Sequence, residues 1–147
     1  MSLRLYTFVI VLSLALITLV IMPSEASVAV DIVAVVVARP LVLDLQGEPI
    51  VASEVGQQVI IQTMFSTYES ERQPFVGYFE LRDANGITQF VAWQSGILES
   101  RSNATIGFSW SPQEPSNYEV RAFAIAGFER PFVLSPISES EINVRTA

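Results

Sequence analysis

The sequence predicts an all-β domain of seven or eight antiparallel strands, preceded by one N-terminal hydrophobic helix. Three observations predict it. From residue 27 onward apolar and polar residues alternate with period two, and the alternating runs are bounded by clusters of Gly, Pro, Asn and Asp. No long stretch of that region keeps helical spacing.

The leader comes first. Arg4 precedes an uncharged apolar run from Leu5 to Met22, which stops at Pro23-Ser24-Glu25-Ala26. As a helix rising about 1.5 Å per residue, the run spans roughly 27 Å, just short of a hydrocarbon core of about 30 Å. Small residues at Ser24 and Ala26 suit cleavage after Ala26, whereas the length of the run suits a retained anchor. Residues 1–26 therefore read as a signal peptide or an N-terminal membrane anchor, and residues 27–147 as the domain. Arg4 keeps the leading end in the cytoplasm. The expected location of the domain is extracytoplasmic, secreted or anchored to the cell membrane with the domain outside.

The strands follow in order. The first runs from about Val28 to Ala38, ends at Arg39-Pro40 and has a short continuation at Leu41–Leu45. After the turn-rich Gln46-Gly47-Glu48-Pro49, a second long strand covers Gln57–Tyr68, and the polar Glu69–Gln73 forms a loop. Strand three, about Phe75–Asp83, puts Phe75, Gly77, Phe79 and Leu81 on one face and Val76, Tyr78, Glu80 and Arg82 on the other. Asp83-Ala84-Asn85-Gly86 predicts a hairpin, with Asn-Gly supplying the positive dihedrals of a tight turn. Strand four is about Ile87–Gln94. Strand five, about Ala104–Ser111, turns Ala104, Ile106, Phe108 and Trp110 inward. Pro112–Asn117 leads into strand six, Tyr118–Ala126, with Tyr118, Val120, Ala122 and Ala124 inward. The last strand is about Ile137–Val144, reached past Pro131 and Pro136. This count and spacing fit a β-sandwich of immunoglobulin type.

These residues also carry a resemblance. Gln73-Pro74-Phe75, the Asp83-Ala84-Asn85-Gly86 hairpin, Ala92-Trp93-Gln94, Ser109-Trp110-Ser111-Pro112, Asn117-Tyr118 and Leu134-Ser135-Pro136 resemble a module of archaeal exported and cell-surface proteins. That module is similar to CARDB and fibronectin type III domains, and the likeness covers roughly Leu41 to Val144. The resemblance implies the sandwich fold and carries over no catalytic residue. Such modules often occur in tandem, whereas this chain has a single copy behind its own export segment, which points away from a purely repetitive, stalk-like role.

Composition excludes much chemistry. The net charge is −7, and an acidic surface argues against nucleic acid, whose phosphates need basic neutralisation. The chain has no His, no Cys and no Lys, and its eight basic residues are all Arg. Ordinary copper and zinc sites, a Cys nucleophile, a Ser-His-Asp triad and Lys Schiff-base chemistry are therefore out of reach. Carboxylate chemistry, hard-cation binding or binding without chemistry remain. No cofactor is expected.

Five features could carry function. Asn103-Ala104-Thr105 is an N-glycosylation pattern, with either an occupied Asn103 or an unmodified loop as its reading. Asp83-Ala84-Asn85-Gly86 resembles the start of a calcium loop but lacks the closing Glu, so it reads as a hairpin. Glu139 and Glu141 share a strand face and read as a solvated pair, since glycoside chemistry needs carboxyls facing each other across a sugar. Trp110 and Tyr118 read as core, the latter as a tyrosine-corner residue. Trp93 and Phe90 lie on opposite faces of strand four, so one is exposed, and Phe123 and Ile125 oppose the inward face of strand six. Together with Val33, Val35 and Val37 of the first strand, Trp93, Phe123 and Ile125 form the candidate partner surface. That first strand is apolar on both faces beyond Asp31. It switches between sheets, lies near the membrane or pairs with a partner by β-augmentation.

The expected function is thus non-enzymatic: a β-sandwich mediating contacts with other envelope or membrane proteins. One alternative is an accessory subunit of a membrane complex, with residues 5–22 retained as a transmembrane helix. A remoter one is a carboxylate-dependent glycan hydrolase.

Overall fold

The computed structural model describes residues 33–129 and 131–147, so the leader and the start of the predicted first strand lie outside the described residues. Within them the chain is all-β. Nine strands form two sheets, an arrangement consistent with a β-sandwich. The first sheet is built on β4 (Val59–Ser66), which pairs antiparallel with β1 (Val36–Val37) and β2 (Leu41–Leu43) along one side and with β7 (Asn103–Trp110) along the other. The second runs β3 (Ala52–Glu54), β9 (Ser138–Arg145), β8 (Ser116–Ile125), β5 (Gln73–Arg82) and β6 (Thr88–Leu98).

Strand alternation builds the core. Val59, Ile61, Thr63 and Phe65 of β4 are buried, as are Phe75, Phe79 and Leu81 of β5 and Tyr118, Val120, Ala122 and Ala124 of β8. Both sheets contribute to one buried cluster. Phe65, Phe75, Phe79 and Phe108 meet at its centre, with ring centroids 5.4 Å apart for Phe65–Phe75, 6.0 Å for Phe65–Phe79 and 5.2 Å for Phe79–Phe108. Gly77 is what lets the sheets approach there, since a Cβ on it would lie 2.9 Å from both Ile106 Cδ1 and Phe65 Cζ. Trp110 and Tyr118 join the sheets at another point, edge to face at 4.9 Å. The Tyr118 hydroxyl donates to the Glu114 carbonyl at 2.9 Å, which is the tyrosine-corner bond. Burial, with the nearby charges of Glu114 and Asp83, pushes the Tyr118 phenol up.

The structure departs from the sequence reading at four places. There are nine strands among the described residues rather than seven or eight, because Ala52–Glu54 pairs too. It pairs parallel to β9, so the sandwich is not wholly antiparallel. In the predicted hairpin Gly86 has φ +77° while Asn85 does not have a positive φ. The turn is therefore closed by Gly86 alone, and the Asp83 carboxylate accepts from the amides of Asn85 at 2.8 Å and Ile87 at 3.0 Å. Asp44-Leu45-Gln46-Gly47 repeats the arrangement, with Gly47 at φ +87° and Asp44 accepting from Gln46 and Glu48.

The fourth departure concerns the first strand. Of its described part only Val36–Val37 is strand, paired with Ser66 and Phe65. One residue earlier, the Val35 amide donates to the Leu134 carbonyl at 3.0 Å, and Leu134 in turn donates to Ala124 of β8 at 2.9 Å. The chain thus crosses from the second sheet to the first between Val35 and Val36. A segment that touches both sheets needs apolar side chains on both faces, which accounts for its composition.

Candidate interaction surface

The outer face of the five-stranded sheet is organised in rows by strand register. Arg82, Glu80, Tyr78 and Val76 of β5 point outward. Opposite them on β6 stand Thr88, Val91, Trp93 and Ser95, and on β8 stand Glu119, Arg121, Phe123 and Ile125. Two rows are charged and two apolar. The charged rows continue onto β9 as Glu139 beside Arg121 and Glu141 beside Glu119.

The charged half is closed on itself. Glu80 is 13% exposed and takes Arg121 Nη1 at 2.8 Å, Arg82 Nε at 3.0 Å and the Thr88 hydroxyl at 2.6 Å. Burial alone would raise its carboxyl, but the Thr88 hydrogen bond and the Arg82 and Arg121 charges outweigh it and hold the group below its usual range. Arg121 also reaches Glu139 at 3.4 Å, and Asn117 reaches Glu141 at 3.4 Å. Both glutamates line a hollow of about 150 Å³ with Arg39, Glu119 and Ser140, roughly half the lower bound of about 300 Å³ for ligand pockets. As on the sequence reading, they share one strand face and do not oppose each other.

The apolar half is open along β6, while Val76 on β5 is buried. Trp93 is 53% exposed and stacks on Tyr78, with centroids 6.4 Å apart at 11°. Tyr78 meets Phe123 at 4.9 Å, and Phe128 stands edge-on to Trp93 at 5.9 Å. Phe128 is 55% exposed and comes from the segment after β8. That segment folds back along β8, through Ala126 N to Phe132 O at 3.0 Å and Ala124 N to the Ser135 hydroxyl at 2.8 Å, and it also exposes Phe132 and Val133. Ile97 continues the exposed apolar line along β6.

Of the predicted partner residues, the structure brings Trp93, Phe123 and Ile125 to this one face, where Phe123 and Ile125 are half-buried. It does not bring the valines there. Val35 is fully buried, Val37 is half-buried and packs against the core, and Val33 is exposed. The reason is the sheet crossing, which turns Val35 into the gap between the sheets. Phe90 packs against the core, leaving Trp93 as the exposed member of that pair. Asn103 is exposed at the first position of β7, opposite Ser66. Asp83 is occupied by the turn amides and by Gln89 Nε2 at 2.9 Å, bonds that hold its carboxyl below the usual range.

Tyr78 and Phe128 complete the cluster and are not among the residues the sequence singles out. Tyr78 shares its strand face with Val76, as the alternation predicts. Phe128 lies in a segment with no periodicity, where no sequence signal marks it.

No family model matches the chain, and no curated protein matches its sequence. Solved structures share its fold. The C-terminal domain of Wzt is similar at 8% identity with a TM-score of 0.61, over 78% of this chain and 75% of that one. A CARDB domain from Pyrococcus furiosus, in complex with di-metal ions, is similar at 12% identity and TM-score 0.56, over 77% of this chain and 94% of that domain. An alkylpurine DNA glycosylase of Pseudomonas fluorescens, bound to DNA containing an abasic site analog, is similar at 11% identity and TM-score 0.56. The likeness covers 77% of this chain and 31% of the glycosylase. The resemblance to a CARDB-like, immunoglobulin-like sandwich therefore holds at the level of fold.

Proposed function

We propose that this domain is non-enzymatic and works by protein contact at the cell envelope, exported or tethered through its leader. The observation that carries the reading is the open half of the outer sheet face, where Trp93, Tyr78, Phe123 and Phe128 cluster with two of the four more than half exposed. Aromatic side chains give large contact area at low entropic cost and dominate binding energy at protein interfaces. The charged half supports the same reading from the other side: Glu80, Glu139 and Glu141 are paired with arginines and Asn117, so these carboxylates are poorly placed to act as acid or base.

The test is detergent extraction from native cells followed by co-purification, comparing the natural chain with a Trp93→Ala/Phe128→Ala variant. The expected result is a bound envelope protein that the variant loses at least tenfold while keeping its circular dichroism spectrum. A natural chain that purifies alone, or a variant that retains the partner, overturns the reading.

A further inference from the structure

We infer that Asn103 carries an N-linked glycan, and that the sugar lies over the outer face of the four-stranded sheet. The inference rests on the export part of the reading above, because N-glycosylation acts on secreted chains. Of Asn85, Asn103, Asn117 and Asn143, only Asn103 is followed two residues on by Ser or Thr, with Ala104 rather than proline between. The structure makes that triplet accessible as a unit. It begins where a tight turn ends: Arg101 has φ +50°, and Ser102 donates to the Glu99 carbonyl from its amide at 3.2 Å and from its hydroxyl at 2.8 Å. From there β7 is extended, so Asn103 and Thr105 project from the same face, and both are exposed.

The surface around them lacks what normally keeps a sheet soluble and unpaired. β1, β2, β4 and β7 contain no charged residue, in a chain of net charge −7. On their outer face Val36 is 43% exposed, Leu41 44% and Met64 41%. Strand register puts Asn103 in line with Ser66 and Val36, and Thr105 opposite Met64. Met64 is thus a diagonal neighbour of Asn103, about 7–8 Å away, and Val36 stands two strands across, about 10 Å away. β7 is also an edge, paired with β4 alone among the described residues, and it has neither charge nor proline to discourage pairing by another chain. A bulky, hydrated group at its first residue supplies both missing protections. The outer face of the other sheet has charges of its own in Glu80, Arg121 and Glu139, and no such triplet.

Attachment is a substitution at the anomeric carbon of a phosphate-linked sugar donor. Asn103 Nδ2 forms the new C–N bond, the bond from that carbon to the phosphate oxygen breaks, and the proton lost from Nδ2 goes to the released phosphate. No oxidant or reductant takes part.

The experiment is mass spectrometry of the full chain isolated from its native cells. The expected spectrum shows the Asn103 peptide carrying whole sugar residues, which persist in Thr105→Ser and fall at least tenfold in Thr105→Ala and Asn103→Gln, all with an unchanged circular dichroism spectrum. In dilute peroxide, Met64 should be oxidised to the sulfoxide about threefold faster in Asn103→Gln than in the natural chain. An unmodified Asn103 peptide in the natural chain overturns the inference, as does a sugar that survives Thr105→Ala, and equal oxidation of Met64 overturns the shielding of the sheet. An unmodified Asn103 in a chain that still co-purifies with its envelope partner overturns glycosylation and leaves the contact reading standing. A glycosylated chain that purifies alone does the reverse.

Discussion

Two aromatic clusters stand back to back on β5. On its inner face Phe65, Phe75, Phe79 and Phe108 interlock with centroid spacings of 5.2–6.0 Å. On its outer face Tyr78, Trp93, Phe123 and Phe128 do the same at 4.9–6.4 Å. The ring geometries are nearly alike, yet Phe65, Phe75 and Phe79 are buried while Trp93 and Phe128 are more than half exposed. Aromatic clustering thus does not mark a core. What marks it is a second sheet opposite, and the outer cluster has no such layer among the described residues.

Gln89 is what puts the outer cluster outside: Leu81 pairs with Phe90 but Arg82 pairs with Thr88, so Gln89 is an extra residue on β6, and a strand that paired it with Leu81 would turn Phe90 outward and Trp93 inward.

Phe79→Ala tests the inner cluster alone. It should cost about 3–5 kcal/mol in urea unfolding, through lost burial plus a cavity.

Glu80→Gln tests the paired half of the outer face, with an expected loss of about 1–2 kcal/mol near neutral pH. Its pH dependence has a definite sign. Glu80 titrates below its ordinary value of 4.5 in the folded protein, so its contribution is complete above that value and fades as pH falls through the lowered one. The gap between the natural chain and Glu80→Gln should therefore be constant at neutral pH and close below about pH 4.5.

The smallest effect on stability belongs to the outer cluster. Trp93→Ala should cost about 1 kcal/mol, the worth of its ring contacts, while removing partner binding. A loss as large as that of Phe79→Ala would erase the difference between the two clusters.

The same residues show what the sequence could tell. The inward face of β8 is legible because Tyr118, Val120, Ala122 and Ala124 alternate without interruption and are all buried. So are Trp110 and the hairpin at Gly86. Whether Trp93 or Phe90 is exposed depends on the inserted Gln89, and bulges leave no mark in composition. β3 pairs through its backbone, so Ala52–Glu54 shows no hydrophobic period. Val35 escapes strand logic because it sits at the crossing, bonded to Leu134 beside one sheet just before Val36 pairs with the other. Phe128 reaches the surface cluster from a loop, by tertiary folding alone.

The crossing between Val35 and Val36 has a mechanical consequence. Tension entering the body at Val33 meets the Val35–Leu134 bond to one sheet and the Val36–Val37 pairing to the other in immediate succession. Neither sheet can be peeled away alone from that end. The segment works as a rivet through both layers, so a pulling force is shared between them before any strand of the hydrophobic centre is stressed.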